Sequence, residues 1–203
     1  MNDKYFLDKG FEKNGNDIYV YKNFISQKNL NLVNPILDKI RIDSNYDQDY
    51  PATLYDKKIT KPIEELRFLP EDLELLFGKE YNVPKNMTVN VMTVGDFWGQ
   101  HFDSHDFIPI RELSASLKKE DEYKIVQDSH YGIVAYFNVP EKGGELYYVN
   151  QKISYTPHPG DLVVHSAEEH CMHRVNQIWE GYRYSYSNNL AVDLRIPILP
   201  EVL

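Results

Sequence analysis

The sequence predicts a mainly β fold, an antiparallel sandwich or barrel carried on N-terminal helices, and three observations lead to it. From Met87 onward the chain breaks into short runs rich in β-branched and aromatic residues, separated by Gly, Pro and Asn, at the spacing of antiparallel strands. Before Met87 the texture is mixed and helix-rich. With 203 residues the chain is long enough to bury one sizeable core, so neither metal nor disulfide is needed merely to hold it together. The expected division is a single domain: a helix-rich support over 1–86 and a β core over 87–193, interrupted by an insertion over 104–130.

In chain order, residues 18–25 read as a strand from their β-branched and aromatic content, and Ser26 stands where an N-cap would start a helix running to about Lys39. Pro62 fits the first turn of a second helix, and Pro70-Glu71-Asp72 opens a third toward Phe77. Strands are expected at 87–94, 97–103, 131–138, 145–149, 160–165, 172–178 and 182–191. The charged stretch 104–130 reads as a solvated loop with one short helix; at the mouth of a site-bearing barrel such a segment could also serve as a lid.

Charge and cysteine usage remove several function classes. With 22 Lys and Arg against 31 Asp and Glu, the net charge of −9 disfavours binding along a phosphate backbone, which depends on clustered cations. Cys171 is the only cysteine, so no intrachain disulfide can form. The first ten residues lack the apolar core of a secretory signal, and no apolar run approaches the roughly 18 residues that span a bilayer. A cytoplasmic protein without a membrane anchor is expected.

The histidines carry the chemistry. Of seven, three fall within nine positions, at His165, His170 and His173. Upstream, His101 and Asp103 stand two apart on an expected strand, where both side chains share one face and can grip one ion. Alone the pair is weak, because chance supplies about half such an occurrence in a chain of this composition. A third ligand must come from a distant strand, and His173 is the best candidate, with His170 its rival three residues upstream. Ten residues beyond His173, Arg183 shares a strand face with Ser185, while Tyr182, Tyr184 and Tyr186 take the other. A guanidinium beside a hydroxyl forms a carboxylate receptor. Two imidazoles and one carboxylate with open positions suit non-haem Fe(II), and iron beside a dicarboxylate pocket points to 2-oxoglutarate.

At this level the sequence resembles the iron- and 2-oxoglutarate-dependent dioxygenases, in their prolyl-4-hydroxylase-like branch. The branch pattern G-x-x-aromatic-x-x-H-x-D is similar to GDFWGQHFD, with Trp98 of the pair Phe97-Trp98 in the aromatic slot. AYFN at 135–138 resembles a strand ending in Tyr-Leu-Asn, followed by the hairpin Gly143-Gly144-Glu145-Leu146. PHPGDLVVH, with Pro157 and Gly160, resembles P-x-x-G-D-L, and His173, Val175, Gly181 and Arg183 match H-x-V-(x)5-G-x-[RK]. The matches keep their order across 95–185.

The resemblance implies a double-stranded β-helix, a jelly-roll, cupin-like barrel of about eight strands with the metal at its mouth. It implies Fe(II) on His101, Asp103 and His173, and the distal carboxylate of 2-oxoglutarate on Arg183, with the hydroxyls of Tyr136 and Ser185 assisting. O2 is the second cosubstrate, and ascorbate fits as an accessory. The implied reaction is hydroxylation of a C–H bond with decarboxylation of 2-oxoglutarate to succinate. A prolyl residue in a peptide or protein leads as substrate, a free amino acid or other small molecule follows, and nucleic acid is disfavoured by the charge. The sequence departs from the branch at Met92, often tyrosine in relatives, and at His165, usually an aromatic such as Phe.

Alternative readings stand beside these. Tyr136 and Ser185 also suit simple core packing, and His105 and Asp106 suit a solvated loop. Cys171 suits a buried small hydrophobe, Trp98 and Trp179 suit the core, and Gly143-Gly144 suits a positive-φ turn. From other classes come an inert jelly-roll binding module and a cupin-like zinc or nickel enzyme, in which Arg183 and Ser185 would be idle.

Overall fold

The computed structural model describes residues 3–43, 52–54, 68–78, 89–103 and 123–197. The N-terminal support is a short helix α1 (Asp3–Asp8), a hairpin of β1 (Glu12–Gly15) and β2 (Ile18–Tyr21), a long helix α2 (Gln27–Asp43), strand β3 (Ala52–Leu54) and helix α3 (Phe68–Phe77). The core adds β4 (Val89–Met92), β5 (Trp98–His101), β6 (Tyr123–Asn138), β7 (Lys142–Gly143), β8 (Leu146–Tyr148), β9 (Ile153–Tyr155), β10 (Leu162–Ser166), β11 (His173–Val175), β12 (Ile178–Glu180) and β13 (Arg183–Pro197). None of the described helices is long and apolar enough to cross a membrane.

Two antiparallel sheets form the barrel: a seven-stranded sheet in the order β1-β2-β10-β6-β13-β4-β3 and a four-stranded sheet in the order β5-β11-β8-β9. A separate two-stranded ribbon pairs β12 with β7. Period-two alternation divides the large sheet between two apolar clusters. Tyr19, Val89, Val91, Ile133, Ala135, Phe137, Leu162, Val164, Tyr184 and Tyr186 face the helices, where Leu30, Val33 and Leu37 give α2 its apolar stripe. Ile18, Val20, Met92, Val134, Tyr136 and Val163 face inward, against Leu146, Tyr148, Val175 and Ile178 of the opposing strands. Removing this much apolar surface from water on both faces of one sheet is what fixes its register, since a one-residue slip would exchange the two sets.

Several boundaries differ from expectation for identifiable reasons. Ser26 does cap α2, accepting a 3.3 Å bond from the Asn29 amide, but the helix runs on to Asp43 through Pro35. The expected strand at 172–178 splits in two. The part of the 104–130 insertion from Tyr123 onward is strand, not loop: β6 extends back to Tyr123 because β13 extends forward to Pro197 and pairs with it throughout. Residues 104–122, with His105, Asp106 and the expected lid, lie outside the described residues, as does the helix expected at Pro62. Trp179, expected in the core, is 60% exposed on the β12 ribbon, whereas Trp98 is half-buried against the barrel interior.

Candidate functional site

Antiparallel register brings the two remote sequence stretches together. In the β5–β11 pair His173 stands directly opposite His101, and on its other side His173 opposes Tyr148 of β8. The His101 and His173 ring centroids are 4.4 Å apart. Asp103, two residues past His101, turns its Oδ1 to within 3.7 Å of the His101 Nε2. One donor atom each from His101, Asp103 and His173 lies within 4.8 Å of the others.

Backbone carbonyls fix the tautomers. The Nδ1 of His101 contacts the Gly99 carbonyl at 2.8 Å, and the Nδ1 of His173 contacts the Cys171 carbonyl at 3.1 Å. A carbonyl can only accept, so each Nδ1 carries a proton, and in the neutral ring the lone pair is on Nε2. Burial, reinforced by the adjacent His165, pushes the His173 pKa well below the ordinary imidazole value, which keeps that lone pair available. For Asp103 burial works in the opposite direction, yet the His165 hydrogen bond and the surrounding imidazoles outweigh it and hold the carboxyl ionised. The result is two imidazoles that present Nε2 in their neutral form and one anionic oxygen donor, a set suited to a divalent transition metal.

His165 belongs to this cluster although the sequence reading left it as a departure from pattern. Its Nε2 lies 2.8 Å from Asp103 Oδ2 and its ring centroid 4.5 Å from that of His173. The alternation of β10 puts His165 on the inward face of Val163, which alone suits a core histidine equally well. His170, the rival ligand, instead bonds Asp17 at 2.9 Å. Cys171 is fully buried, and burial pushes its thiol up to about 12.

Deeper in the barrel lies the guanidinium of Arg183, 3% exposed. Its Nη1 donates to the Met92 thioether at 3.1 Å, and its Cζ sits 5.0 Å from the centre of the Tyr136 ring. Among the described residues no carboxylate pairs with it, and three buried polar atoms here lack partners: Arg183 Nε, Tyr136 Oη and Ser185 Oγ. Burial raises the Tyr136 hydroxyl's pKa, opposed by the Arg183 charge. A buried cation without an anion costs several kcal/mol. A group of this kind can receive an anionic, oxygen-rich ligand. The cavity joining the two halves, about 260 Å³, is lined by Trp98, His101, Asp103, Val134, His173 and Arg183 among others.

No protein-family model matches the sequence, and no curated protein does. Solved structures do. The viral collagen prolyl hydroxylase of Paramecium bursaria Chlorella virus-1, in its 2-oxoglutarate complex, is similar at a TM-score of 0.55 and 14% identity, over 88% of this chain and 97% of that one. A Trichoplax adhaerens prolyl hydroxylase, in complex with a hypoxia-inducible factor peptide fragment, is similar at 0.56 and 15% identity, over 88% and 84%. NgTET1 in complex with 5mC DNA is similar at 0.58 and 12% identity, over 85% and 71%. The fold is therefore the jelly roll of these neighbours, at 12–15% sequence identity.

Proposed function

We propose that the chain is an Fe(II)- and 2-oxoglutarate-dependent dioxygenase that hydroxylates a C–H bond, with a prolyl residue of a peptide or protein as the leading substrate. One observation carries the reading: a His101–Asp103–His173 donor set opens onto the same cavity as the unpaired Arg183. Neither half explains itself alone. Two fixed Nε2 lone pairs and a carboxylate need a cation, and a buried guanidinium with orphaned hydroxyls needs a carboxylate.

In the assignment, His101 and His173 hold the metal through Nε2 and Asp103 through its carboxylate. Arg183 takes the distal carboxylate of 2-oxoglutarate, with the Tyr136 and Ser185 hydroxyls donating to it. When bound, Fe(II) with 2-oxoglutarate and O2 supplies the oxidising chemistry, in which one oxygen atom enters succinate as CO2 is lost and the other enters the substrate C–H bond. The chain's own part is orientation. The Arg183 fork sets the direction of the cosubstrate, and Val134, Leu146 and Val175 supply apolar wall beside the donor set.

A peptide substrate is favoured by the Trichoplax neighbour, which is seen with one, and by the net charge of −9, which repels the phosphates of a nucleic acid such as NgTET1 is seen with. A small-molecule substrate is the second choice. An inert binding module would leave both the lone pairs and the guanidinium without a purpose.

The test is anaerobic titration of the protein with Fe(II) and then 2-oxoglutarate. A weak metal-to-ligand charge-transfer band in the visible is expected, followed on aeration by succinate release that rises with proline-containing peptides above free amino acids and oligonucleotides. Iron-loaded, folded protein without that band would refute the assignment.

A further inference from the structure

His165 is, like His173, a buried imidazole within reach of the donor set, and its hydrogen bonds decide what it can do. Asp103 Oδ2 lies 2.8 Å from His165 Nε2, and the hydroxyl of Tyr148 lies 2.9 Å from His165 Nδ1. An ionised carboxylate only accepts, so Nε2 must carry the proton. In neutral imidazole Nδ1 is then the acceptor, and it takes the Tyr148 O–H, which is fully buried and can donate. The opposite tautomer would set a nitrogen lone pair against carboxylate lone pairs at 2.8 Å and is excluded. The polarity is thus the reverse of that in His101 and His173, whose Nε2 atoms are bare. His165 cannot offer a lone pair to a metal through Nε2; it offers a proton to the carboxylate.

We infer that His165 is a positioning residue for the metal centre: backed by Tyr148, it ties down Asp103 Oδ2 and commits Oδ1, the oxygen beside His101, to the ion. The inference rests on the metal-site reading above and adds to it a residue that the sequence pattern does not supply, since that slot otherwise suits an aromatic without a donor. Two features of the fold build the relay. Tyr148 stands opposite His173 in the β8–β11 register, so ligand and backing group are fixed by one strand pair. Gly132, opposite His165 in the β6–β10 register, leaves the space in which carboxylate and imidazole meet. An outer hydrogen bond of this kind orients a ligand and prepays the entropy of fixing it, and its loss typically weakens metal affinity about 10- to 100-fold.

The test compares His165→Phe, which keeps the ring volume without the donor, with His165→Gln, whose amide N–H can take the place of Nε2–H. Fe(II) affinity is measured by anaerobic calorimetry and site geometry by the visible spectrum of the Co(II)-substituted protein. His165→Phe should bind Fe(II) about 10- to 100-fold more weakly and shift the Co(II) bands, and His165→Gln should return both to near the unsubstituted values. Unchanged affinity in His165→Phe would overturn the inference, and so would failure of His165→Gln to restore it. If His165→Phe does not fold, Tyr148→Phe carries the test: removing the backing hydroxyl should weaken Fe(II) several-fold, and no change overturns the relay. Unsubstituted protein that binds Fe(II) and 2-oxoglutarate while the variants match it sinks this inference alone. Unsubstituted protein that binds neither sinks both.

Discussion

A Cβ on Gly132 would stand 2.0 Å from Oδ2 of Asp103 and 2.3 Å from Nε2 of His165, so the β6 backbone and this hydrogen-bonded pair fill adjoining space that only glycine leaves open. The constraint is one of close approach.

Gly132→Ala therefore cannot be accommodated without moving the carboxylate, because a β6 backbone paired on both sides by β10 and β13 has little freedom to retreat. Overpacking of this kind costs about 1–3 kcal/mol of stability. The larger effect falls on the metal: Fe(II) affinity should drop at least tenfold, because the displaced group is itself a ligand in the proposed site. Calorimetry beside a denaturant melt separates the two. Affinity equal to that of the unsubstituted protein would show that Asp103 does not hold the ion.

Arg183→Met keeps much of the apolar stem while removing the fork. Each charge-assisted bond to the cosubstrate carboxylate is worth about 1.5–3 kcal/mol, so the 2-oxoglutarate requirement should rise about a hundredfold. Fe(II) affinity should stay within about threefold, since none of the three donors touches the guanidinium. Arg183→Lys should recover only part of the loss, because an ammonium cannot make the bidentate contact. An unchanged 2-oxoglutarate requirement in Arg183→Met would remove the receptor role.

The parts of this molecule that were legible in sequence are those where a local period coincides with a local chemistry. Arg183 and Ser185 share a face of β13, as alternation predicts, whereas β5 ends at His101, short of the expected 97–103, so Asp103 reaches the same site from just beyond the strand. That His101 and His173 stand opposite each other is a matter of register between strands some seventy residues apart, which only the ordered match to a known pattern suggested. His165 was missed as a site residue because its role is set across strands, by Asp103 and Tyr148, and nothing in PHPGDLVVH distinguishes an inward donor from a core histidine. The β6–β13 extension was missed because the mixed run YKIVQDSH at 123–130 follows no clean alternation, and its strand shows only in the backbone pairing with β13. Trp179 was misplaced because aromatic content says nothing about which strand belongs to a two-stranded ribbon that leaves its side chain exposed.

Cys171 should be chemically silent in the folded protein. Burial pushes its thiol up to about 12, so the thiolate that reacts is about a thousandfold scarcer than in an unfolded chain at the same pH. Iodoacetamide at pH 8 should label it only after denaturant is added. Rapid labelling under native conditions, counted by intact mass, would contradict the burial beneath the Asn16 and Asp17 carbonyls that its sulfur faces.

The metal-free protein should lose stability on acidification, and the sign follows from two groups. His173 is held neutral, its folded pKa well below the ordinary 6.5, chiefly by burial. Above about pH 6.5 neither the folded nor the unfolded chain carries that proton. As the pH falls below 6.5 the unfolded chain takes it up and the folded one does not, so unfolding is favoured by up to about 1.4 kcal/mol per pH unit, or about 2 kcal/mol between pH 6.5 and 5. Asp103, also lowered, adds a loss of the same sign below its ordinary 3.8, where the unfolded carboxyl protonates first. Urea unfolding with a chelator present should therefore show falling stability across this range. His173→Gln, which cannot take up the proton in either state, should flatten the upper part of the curve between pH 6.5 and 5. A substituted protein whose slope matches that of the original would mean that His173 is free to protonate in the folded barrel, and its lone pair would then not be reserved for a cation.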